Sequence, residues 1–241
     1  MNLTREGWFS CAGLDEEELP DVLILEGTWW HKERYGVRLA YLENVRELKF
    51  PDMYLGLYNT KRVLFCCAYG APRAVEPVHA FGAMGTRRVI QIGSCGGLQN
   101  GLVTGDILLS DRAAIGEGAS QYYGKTETAE ATPHLVDNAQ EKFETRGFRV
   151  HRGPHLTTSA LFAQPAERVE AWQKAGYLGV DMETSAVFSA ASFFGMECAS
   201  LLFVWDELLN NRTWLDSFSP EETKRQETAN KAIFEVALEL A

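Results

Sequence analysis

Short apolar runs alternate with amphipathic stretches along most of the chain, and this alternation predicts an α/β fold. Six runs suit buried strands, at residues 21–25, 62–68, 88–92, 106–110, 178–182 and 197–205. Helical periodicity lies between several of them, at residues 73–84, 133–146, 165–175 and 183–194. The segments RLAYL, MYLGLY and KRVLF, which turn-prone residues link, predict an antiparallel portion. We therefore expect a mixed β-sheet flanked by helices.

A last helix is predicted over about residues 220–241. Its apolar stripe comprises Ala229, Ile233, Val236, Ala237 and Leu240. Arg225 lies four residues before Ala229, so we expect it on the same inward face. A buried arginine is costly unless an anion meets it, which predicts a carboxylate partner. A surface arginine with a buried stem is the alternative.

Composition narrows the possible partners. The chain has 241 residues, of which 46% are hydrophobic and 23% charged, and no linker or repeat divides it. We expect one domain over residues 1–241, with residues 1–20 as an N-terminal extension. The formal net charge of −10 disfavours a nucleic-acid partner and favours a small-molecule ligand.

The first residues and the cysteines predict a cytoplasmic protein. The N-terminus has no secretion signal, and no apolar run reaches the roughly 20 residues of a membrane span. The five cysteines show no C-x-x-C spacing, and the five histidines make no H-E-x-x-H. We expect reduced thiols, no metal site and no membrane partner.

Polar residues and glycines follow several of the predicted strands. Gly27 follows the first strand, the segment GSCGG follows residues 88–92, Glu183 follows residues 178–182, and Asp206 follows residues 197–205. In open α/β sheets ligands bind beyond the carboxyl ends of the strands, so we expect these groups to converge. The alternatives are a tight connection for GSCGG, a helix-start carboxylate for Glu183 and a turn residue for Asp206.

The segment GSCGG predicts a glycine loop that approaches a ligand. Gly93, Gly96 and Gly97 would aim backbone N–H groups at it, and the hydroxyl of Ser94 would add a donor. The pattern is neither G-x-G-x-x-G nor a P-loop, which disfavours a dinucleotide or a nucleoside triphosphate.

Four features in order resemble the nucleoside phosphorylase family, especially the bacterial hexameric purine nucleoside phosphorylases. They are GSCGG after a strand, GVDMETSAVFSAASFFG at residues 179–195, an aspartate after the next strand, and KRQET in the last helix. The resemblance implies a single α/β domain with a mixed, partly barrel-like sheet. It also implies cleavage of the N-glycosidic bond of a purine-type nucleoside, with phosphate as co-substrate and no cofactor.

The resemblance also implies roles for individual residues. Glu183 would hold the ribose hydroxyls, and Met182 would pack under the sugar. Asp206 would be the general acid that protonates N7 of the leaving purine, with Arg225 beside it. Phe162 aligns with an aromatic residue that packs on base or sugar, and core packing is its alternative.

The phosphate site departs from the family's pattern. Gly27, Gly93 and Ser94 match, but the two arginine positions hold Gln91 and His31. A neutral glutamine cannot make the forked, charge-assisted contacts that hold a dianion, so we expect weaker phosphate binding.

Two other arginines are candidates to replace the missing charge. Arg73 would act from a helix start, and Arg46 from a neighbouring subunit, because family members complete each site with a neighbour's residues. Ordinary surface arginines are the alternative for both. The resemblance accordingly implies a homo-oligomer, either a dimer or a hexamer.

Two other functions stay open. The first is a nucleoside hydrolase, in which an acidic residue near Gly27, such as Glu26 or Glu33, would activate water. The second is a non-catalytic nucleoside-binding protein.

Overall fold

Ten strands form one mixed sheet in the computed structural model, which describes residues 3–241. The strands are β1 (Val22–Gly27), β2 (Glu43–Glu47), β3 (Met53–Tyr58), β4 (Lys61–Cys67), β5 (Arg88–Gly97), β6 (Ile107–Gly116), β7 (Thr128–Glu130), β8 (Val150–Thr158), β9 (Gly179–Asp181) and β10 (Glu197–Glu207). The α-helices are α1 (Arg5–Ala12), α2 (His31–Arg38), α3 (Ala71–Met84), α4 (Pro133–Thr145), α5 (Ala166–Lys174), α6 (Thr184–Phe194) and α7 (Pro220–Glu239).

Part of the sheet is open and part is closed. Strands β4, β1, β5 and β10 run parallel, and β3 and β2 extend the β4 edge in antiparallel fashion. On the other side β5, β10, β6, β8 and β9 pair in a ring, because β9 returns to β5. The predicted mixed, partly barrel-like sheet flanked by helices is confirmed.

The central strands are apolar on both faces because helices cover them. Residues 22–25 of β1 are fully buried, and α3 packs on this strand while α6 and α7 pack on β5 and β10. Burial of one such Val, Leu or Ile side chain contributes about 1.5–3 kcal/mol. This packing holds the carboxyl ends of β1, β5 and β10 at one edge of the sheet.

The segment RLAYL does not form the predicted strand. Arg38 ends α2, and Leu39–Tyr41 forms a 3₁₀ turn that Leu42 closes with a hydrogen bond to the carbonyl of Leu39. The side chain of Arg38 is tied to the buried Glu26, which keeps this residue in the helix. The antiparallel partner of β3 on that side is therefore β2, which begins at Glu43.

The predicted glycine loop is instead the second half of strand β5. Gly96 and Gly97 pair with β9 on one side and with β10 on the other. A Cβ at Gly96 would lie 2.6 Å from Cδ1 of Leu208, and one at Gly93 would lie 3.0 Å from the carbonyl oxygen of Gly27. The glycines thus allow close approach of neighbouring segments.

The first twenty residues include a helix packed against the rest of the chain. Met1 and Asn2 lie outside the described residues. In α1, Phe9 and Ala12 are buried, and the helix packs on α3. Within the described residues, no helix is both long and apolar enough to cross a membrane.

Candidate active site

A pocket of about 100 Å³ opens beyond the carboxyl ends of β1, β5 and β10. Eight of the residues named from the sequence line it: Glu26, Gly27, Gly93, Ser94, Gly96, Met182, Glu183 and Asp206. The predicted convergence at this sheet edge is thus present, although the residues are far apart in the chain.

Glu183 is a buried carboxyl group at the start of α6. Its Oε1 accepts a 2.6 Å hydrogen bond from the backbone N–H of Gly70. A Cβ at Gly27 would lie 2.6 Å from its Oε2, so glycine alone leaves room for this carboxyl group. Burial, and then the charge of Asp181, raises the pKa of Glu183 to about 8. At neutral pH the group is mostly protonated and can donate as well as accept a hydrogen bond.

Asp181 lines the pocket and belongs to a buried polar network that extends beneath it. Its Oδ1 accepts a 2.9 Å hydrogen bond from Thr157 and lies 3.2 Å from Nε2 of His155, and its Oδ2 accepts from Thr184. Burial acts to raise the pKa of Asp181, but the nearby His155 and the hydroxyl donors outweigh it and hold that pKa below its usual value. The network therefore keeps Asp181 ionised, and its charge favours the protonated form of Glu183.

Asp206 is the penultimate residue of the apolar strand β10 and has one carboxyl oxygen without a hydrogen-bond partner among the described residues. Its Oδ1 is buried and has no hydrogen-bond partner in the described part of the chain, and Nε1 of the preceding Trp205 is in the same situation. Burial raises the pKa of Asp206 to about 7, although a hydrogen bond with the backbone of Trp214 acts against it. Both residues line the pocket, so a bound ligand can supply the missing partners.

Five aromatic residues form one side of the pocket, here called the aromatic wall: Tyr69, Trp29, Trp214, Trp30 and Trp205. Trp29 stacks on Tyr69 with ring centroids 5.2 Å apart, and Trp30 stacks on Trp205 at 5.9 Å. Trp214 meets Trp29 and Trp30 edge-on and joins the two stacks. This wall was not predicted from the sequence, although the TWW segment directly after Gly27 lies at the same sheet edge as the predicted site.

Comparison with known proteins identifies the family. Residues 30–240 match the sequence model of the phosphorylase superfamily. The chain belongs to this superfamily. Guanosine phosphorylase from Halorubrum lacusprofundi is 28% identical over 227 residues, which cover 91% of this chain and 92% of the relative. A DeoD-type purine nucleoside phosphorylase from Caldanaerobacter subterraneus is 27% identical over 239 residues, covering 95% and 98%.

Solved structures agree on the fold. Uridine phosphorylase from Vibrio fischeri superposes with a TM-score of 0.81 at 22% sequence identity, covering 94% of this chain and 93% of that chain. The resemblance and the fold predicted from the sequence are therefore confirmed, as is an enzyme of the nucleoside phosphorylase type. Phosphorylases of this family use phosphate as co-substrate and need no cofactor.

Gln91 does not reach the pocket of this phosphorylase. Its side chain is fully buried in the network beneath, where Nε2 donates to Asp181 at 3.1 Å and Oε1 accepts from Thr184 and Ser200. Gln91 and Ser94 are three positions apart on β5, so their side chains point to opposite faces. The prediction that Gln91 binds substrate is not supported by this placement.

Arg225 does not pair with Asp206, so the predicted pairing is wrong. Arg225 is exposed on α7, and its Nε donates to the carbonyl oxygen of Thr104 at 3.2 Å. The next residue, Gln226, takes the buried position and donates to the Thr104 hydroxyl at 2.7 Å. The predicted apolar stripe of α7 is buried, and its inward face is continued by Gln226, three residues before Ala229, rather than by Arg225.

Phe162 lies at the rim of the pocket, where its side chain is 75% exposed. Its ring centroid is 5.8 Å from that of Trp29, and the neighbouring Leu161 lines the pocket in its place. Packing in the core, the alternative for Phe162, is wrong.

The candidate cations His31, Arg46 and Arg73 also lie outside the pocket lining. His31 is exposed with Nδ1 3.2 Å from the carbonyl oxygen of Trp29, Arg46 pairs with Glu18 at 2.7 Å, and Arg73 pairs with Glu76. The cation that does line the pocket is Arg34 of α2, which was not predicted from the sequence. Its signal was the spacing of Arg34 and Arg38, four residues apart on one helix face close after Gly27.

Proposed function

We propose that this phosphorylase cleaves the N-glycosidic bond of a purine-type nucleoside and transfers the ribosyl group to phosphate. The observation that carries the proposal is the pair of carboxyl groups with raised pKa, Glu183 and Asp206, in one pocket with Gly27 and Ser94. The names of the curated relatives, guanosine phosphorylase and purine nucleoside phosphorylase, support the purine.

Asp206 acts as the general acid. A purine leaves poorly as an anion, so N7 takes the proton of Asp206 while the electron pair of the C1′–N9 bond moves onto the base. A phosphate oxygen then forms the new bond to C1′. The products are the neutral free base and ribose 1-phosphate, with Asp206 left as the carboxylate. Protonation of this kind contributes about 10²–10⁴-fold to the rate.

Glu183 holds the ribose hydroxyls. Its mostly protonated carboxyl group donates to one hydroxyl and accepts from the other, which fixes the ring over Met182. As positive charge develops at C1′, the ionised Asp181 beneath favours it electrostatically. The placement of the two carboxyl groups lets one ligand span sugar and base.

The aromatic wall supports a planar base. It runs from Tyr69, beside the Gly70 that binds Glu183, to Trp205, beside Asp206. A nucleoside with its sugar at Glu183 and its base at Asp206 therefore lies along the indole rings, which favour contact with a flat heterocycle.

Hydrolysis is the less favoured alternative because neither candidate base for water is free. Glu26 is 2% exposed, and both of its oxygens are engaged by arginines. Glu33 is exposed on α2 and does not line the pocket.

We also propose that the chain acts in the cytoplasm as a homo-oligomer, a dimer or a hexamer, and that residues 1–241 form one domain with an N-terminal extension over residues 1–20. Sedimentation equilibrium of the purified protein measures the oligomeric state. A monomer at every concentration would contradict that part of the proposal.

Chromatography of reaction products tests the function. The protein is incubated with inosine, adenosine, guanosine, uridine or methylthioadenosine, each with phosphate and in phosphate-free buffer. We expect free purine and ribose 1-phosphate only with phosphate, and less turnover of uridine, which has no N7. Free ribose at equal rates in both buffers would instead indicate hydrolysis, and ligand-induced stabilisation without any free base would indicate a binding protein.

A further inference from the structure

A buried charge cluster at the end of β1 contains one carboxylate and two guanidinium groups. Glu26 and Arg38 are 2% and 1% exposed, and Arg34 stands one helical turn before Arg38 on α2. The formal charge of the cluster is therefore +1. In a protein with a net charge of −10, a buried positive surplus calls for a counterion.

Arg38 accounts for the charge of Glu26. Its Nε donates to Oε2 at 2.9 Å and its Nη2 to Oε1 at 3.1 Å, which is the forked geometry of a strong ion pair. Nη2 also donates to Oδ1 of Asn230 at 2.6 Å, and the guanidinium carbon lies 5.0 Å from the ring centroid of Phe234. The guanidinium group of Arg38 is thus engaged by Glu26, Asn230 and Phe234, and Arg38 does not line the pocket.

Arg34 holds the surplus charge. Its Nε is 3.1 Å from Oε1 of Glu26 but off the hydrogen-bond direction, so this buried donor has no hydrogen-bond partner among the described residues. The side chain is 19% exposed and lines the pocket together with Gly27, Gly93 and Ser94. An arginine with unused donors at a polar pocket wall is suited to an oxyanion.

We propose that Arg34 binds the phosphate co-substrate together with the hydroxyl of Ser94, and that the Glu26–Arg38 pair positions Arg34. The inference rests on the proposed function, because the oxyanion is the ribosyl acceptor. Arg34 of α2 would supply the positive charge for phosphate. It would do so instead of the two arginines of the family pattern, whose positions hold Gln91 and His31 in this chain.

The position of Arg34 suits this role. Arg34 and Gly27 both line the pocket beside Glu183, so phosphate there would lie next to the ribose that Glu183 holds. The carboxylate of Glu26 lies 3.1 Å from Nε of Arg34 and partly neutralises its charge. Phosphate binding therefore depends on one guanidinium group that also interacts with Glu26. Removal of Arg34 therefore has no second pocket cation to compensate for it within the described lining.

Substitutions of Arg34 test the inference. Arg34→Gln removes the charge at similar length, Arg34→Lys keeps it without the fork, and Arg152→Gln removes an exposed arginine that pairs with Asp111 and Asp137 outside the pocket. We expect Arg34→Gln to raise KM for phosphate roughly tenfold or more, with KM for the nucleoside changed by less than about threefold. Arg34→Lys should be intermediate, and Arg152→Gln should match the unsubstituted protein.

A second measurement does not depend on turnover. Inorganic phosphate should raise Tm of the unsubstituted protein and of Arg152→Gln, because a ligand stabilises the folded state that it binds. The increase should be absent in Arg34→Gln and partly kept in Arg34→Lys. Both Arg34 variants leave the Glu26–Arg38 pair in place, which favours folding.

The outcomes separate the two proposals. If phosphate KM and the phosphate-induced Tm shift are unchanged in Arg34→Gln, the role of Arg34 is overturned whatever the reaction. If phosphate stabilises the unsubstituted protein through Arg34 but no base is released from any nucleoside, the anion site stands and the proposed function fails.

Discussion

The carboxyl groups of Glu183 and Asp206 both have a raised pKa, but for different physical reasons. Asp206 keeps its proton mainly because it is buried, whereas Glu183 is buried and also lies near the ionised Asp181. A group that must donate a proton at neutral pH needs a pKa close to that pH. Asp206, with a pKa of about 7, meets this requirement without any neighbouring arginine.

Substitution of Asp206 should remove the acid but leave the binding site. Asp206→Asn should bind nucleoside yet lose about 10²–10⁴-fold in kcat, because no proton reaches N7. In the unsubstituted enzyme kcat/KM should fall as pH rises above about 7, where free Asp206 loses its proton, and this fall should be missing from the residual activity of the variant. A kcat of the variant close to that of the unsubstituted enzyme would contradict the assignment.

Thermal unfolding provides the control for that variant. The pKa of Asp206 is higher in the folded than in the unfolded state, so the folded protein binds more protons between about pH 4 and pH 7 and loses stability as pH rises through this range. Asparagine does not titrate. Asp206→Asn should therefore match the unsubstituted protein near pH 4 and exceed its stability above pH 7, by at most about 4 kcal/mol.

At the level of elements, the site depends on how closely the end of β1 approaches the start of α6. Gly27 is the contact point, since a Cβ there would lie 2.6 Å from Oε2 and 2.8 Å from the carboxyl carbon of Glu183. The carboxyl group cannot move away freely, because its Oε1 is bound to the N–H of Gly70. The close approach of β1 to α6 therefore requires that residue 27 has no Cβ atom.

Gly27→Ala should displace Glu183 and lower kcat/KM for nucleosides about tenfold or more, at a cost of about 1–3 kcal/mol in stability from overpacking. Gly36→Ala on α2 is the matched control, because a Cβ there meets nothing within 4 Å. It should keep full activity and gain about 0.4–1 kcal/mol. Equal activity of the two variants would contradict the close contact at Gly27.

At the scale of the whole molecule, the sequence predicts those parts of the fold that depend on short apolar runs. Apolar runs locate β1, β5 and β10, and these parallel strands then bring Gly27, Ser94 and Asp206 to one edge. Glu183 reaches this edge from β9, which is antiparallel to β5. The ring could not be predicted in detail, because it depends on the pairing of segments far apart in the chain. The apolar stripe of α7 is buried as predicted, but Arg225 is not inward, since Gly105 packs against the backbone of Arg225 and Gln226 takes the inward position.

The tryptophans concentrate in one region of the molecule, which gives a further prediction. Four of the six line the pocket. A nucleoside that stacks on the aromatic wall should therefore change most of the intrinsic fluorescence. Trp172→Phe, outside the pocket, should keep the change, and Trp205→Phe should reduce it. A change abolished by Trp172→Phe alone would place the ligand elsewhere.

The pairing of strand β5 affects which parts of the protein can open locally. It pairs with β10 along its whole length, and its other edge is shared by β1 and then β9. Apart from Arg88, Ser94 and Cys95, which pair with neither β1 nor β9, its residues are enclosed on both sides, and we expect their amides to exchange with solvent only when these strands separate. We therefore expect β5 to open slowly, so that any motion that admits substrate belongs to the segments around Trp29, Leu161 and Trp214.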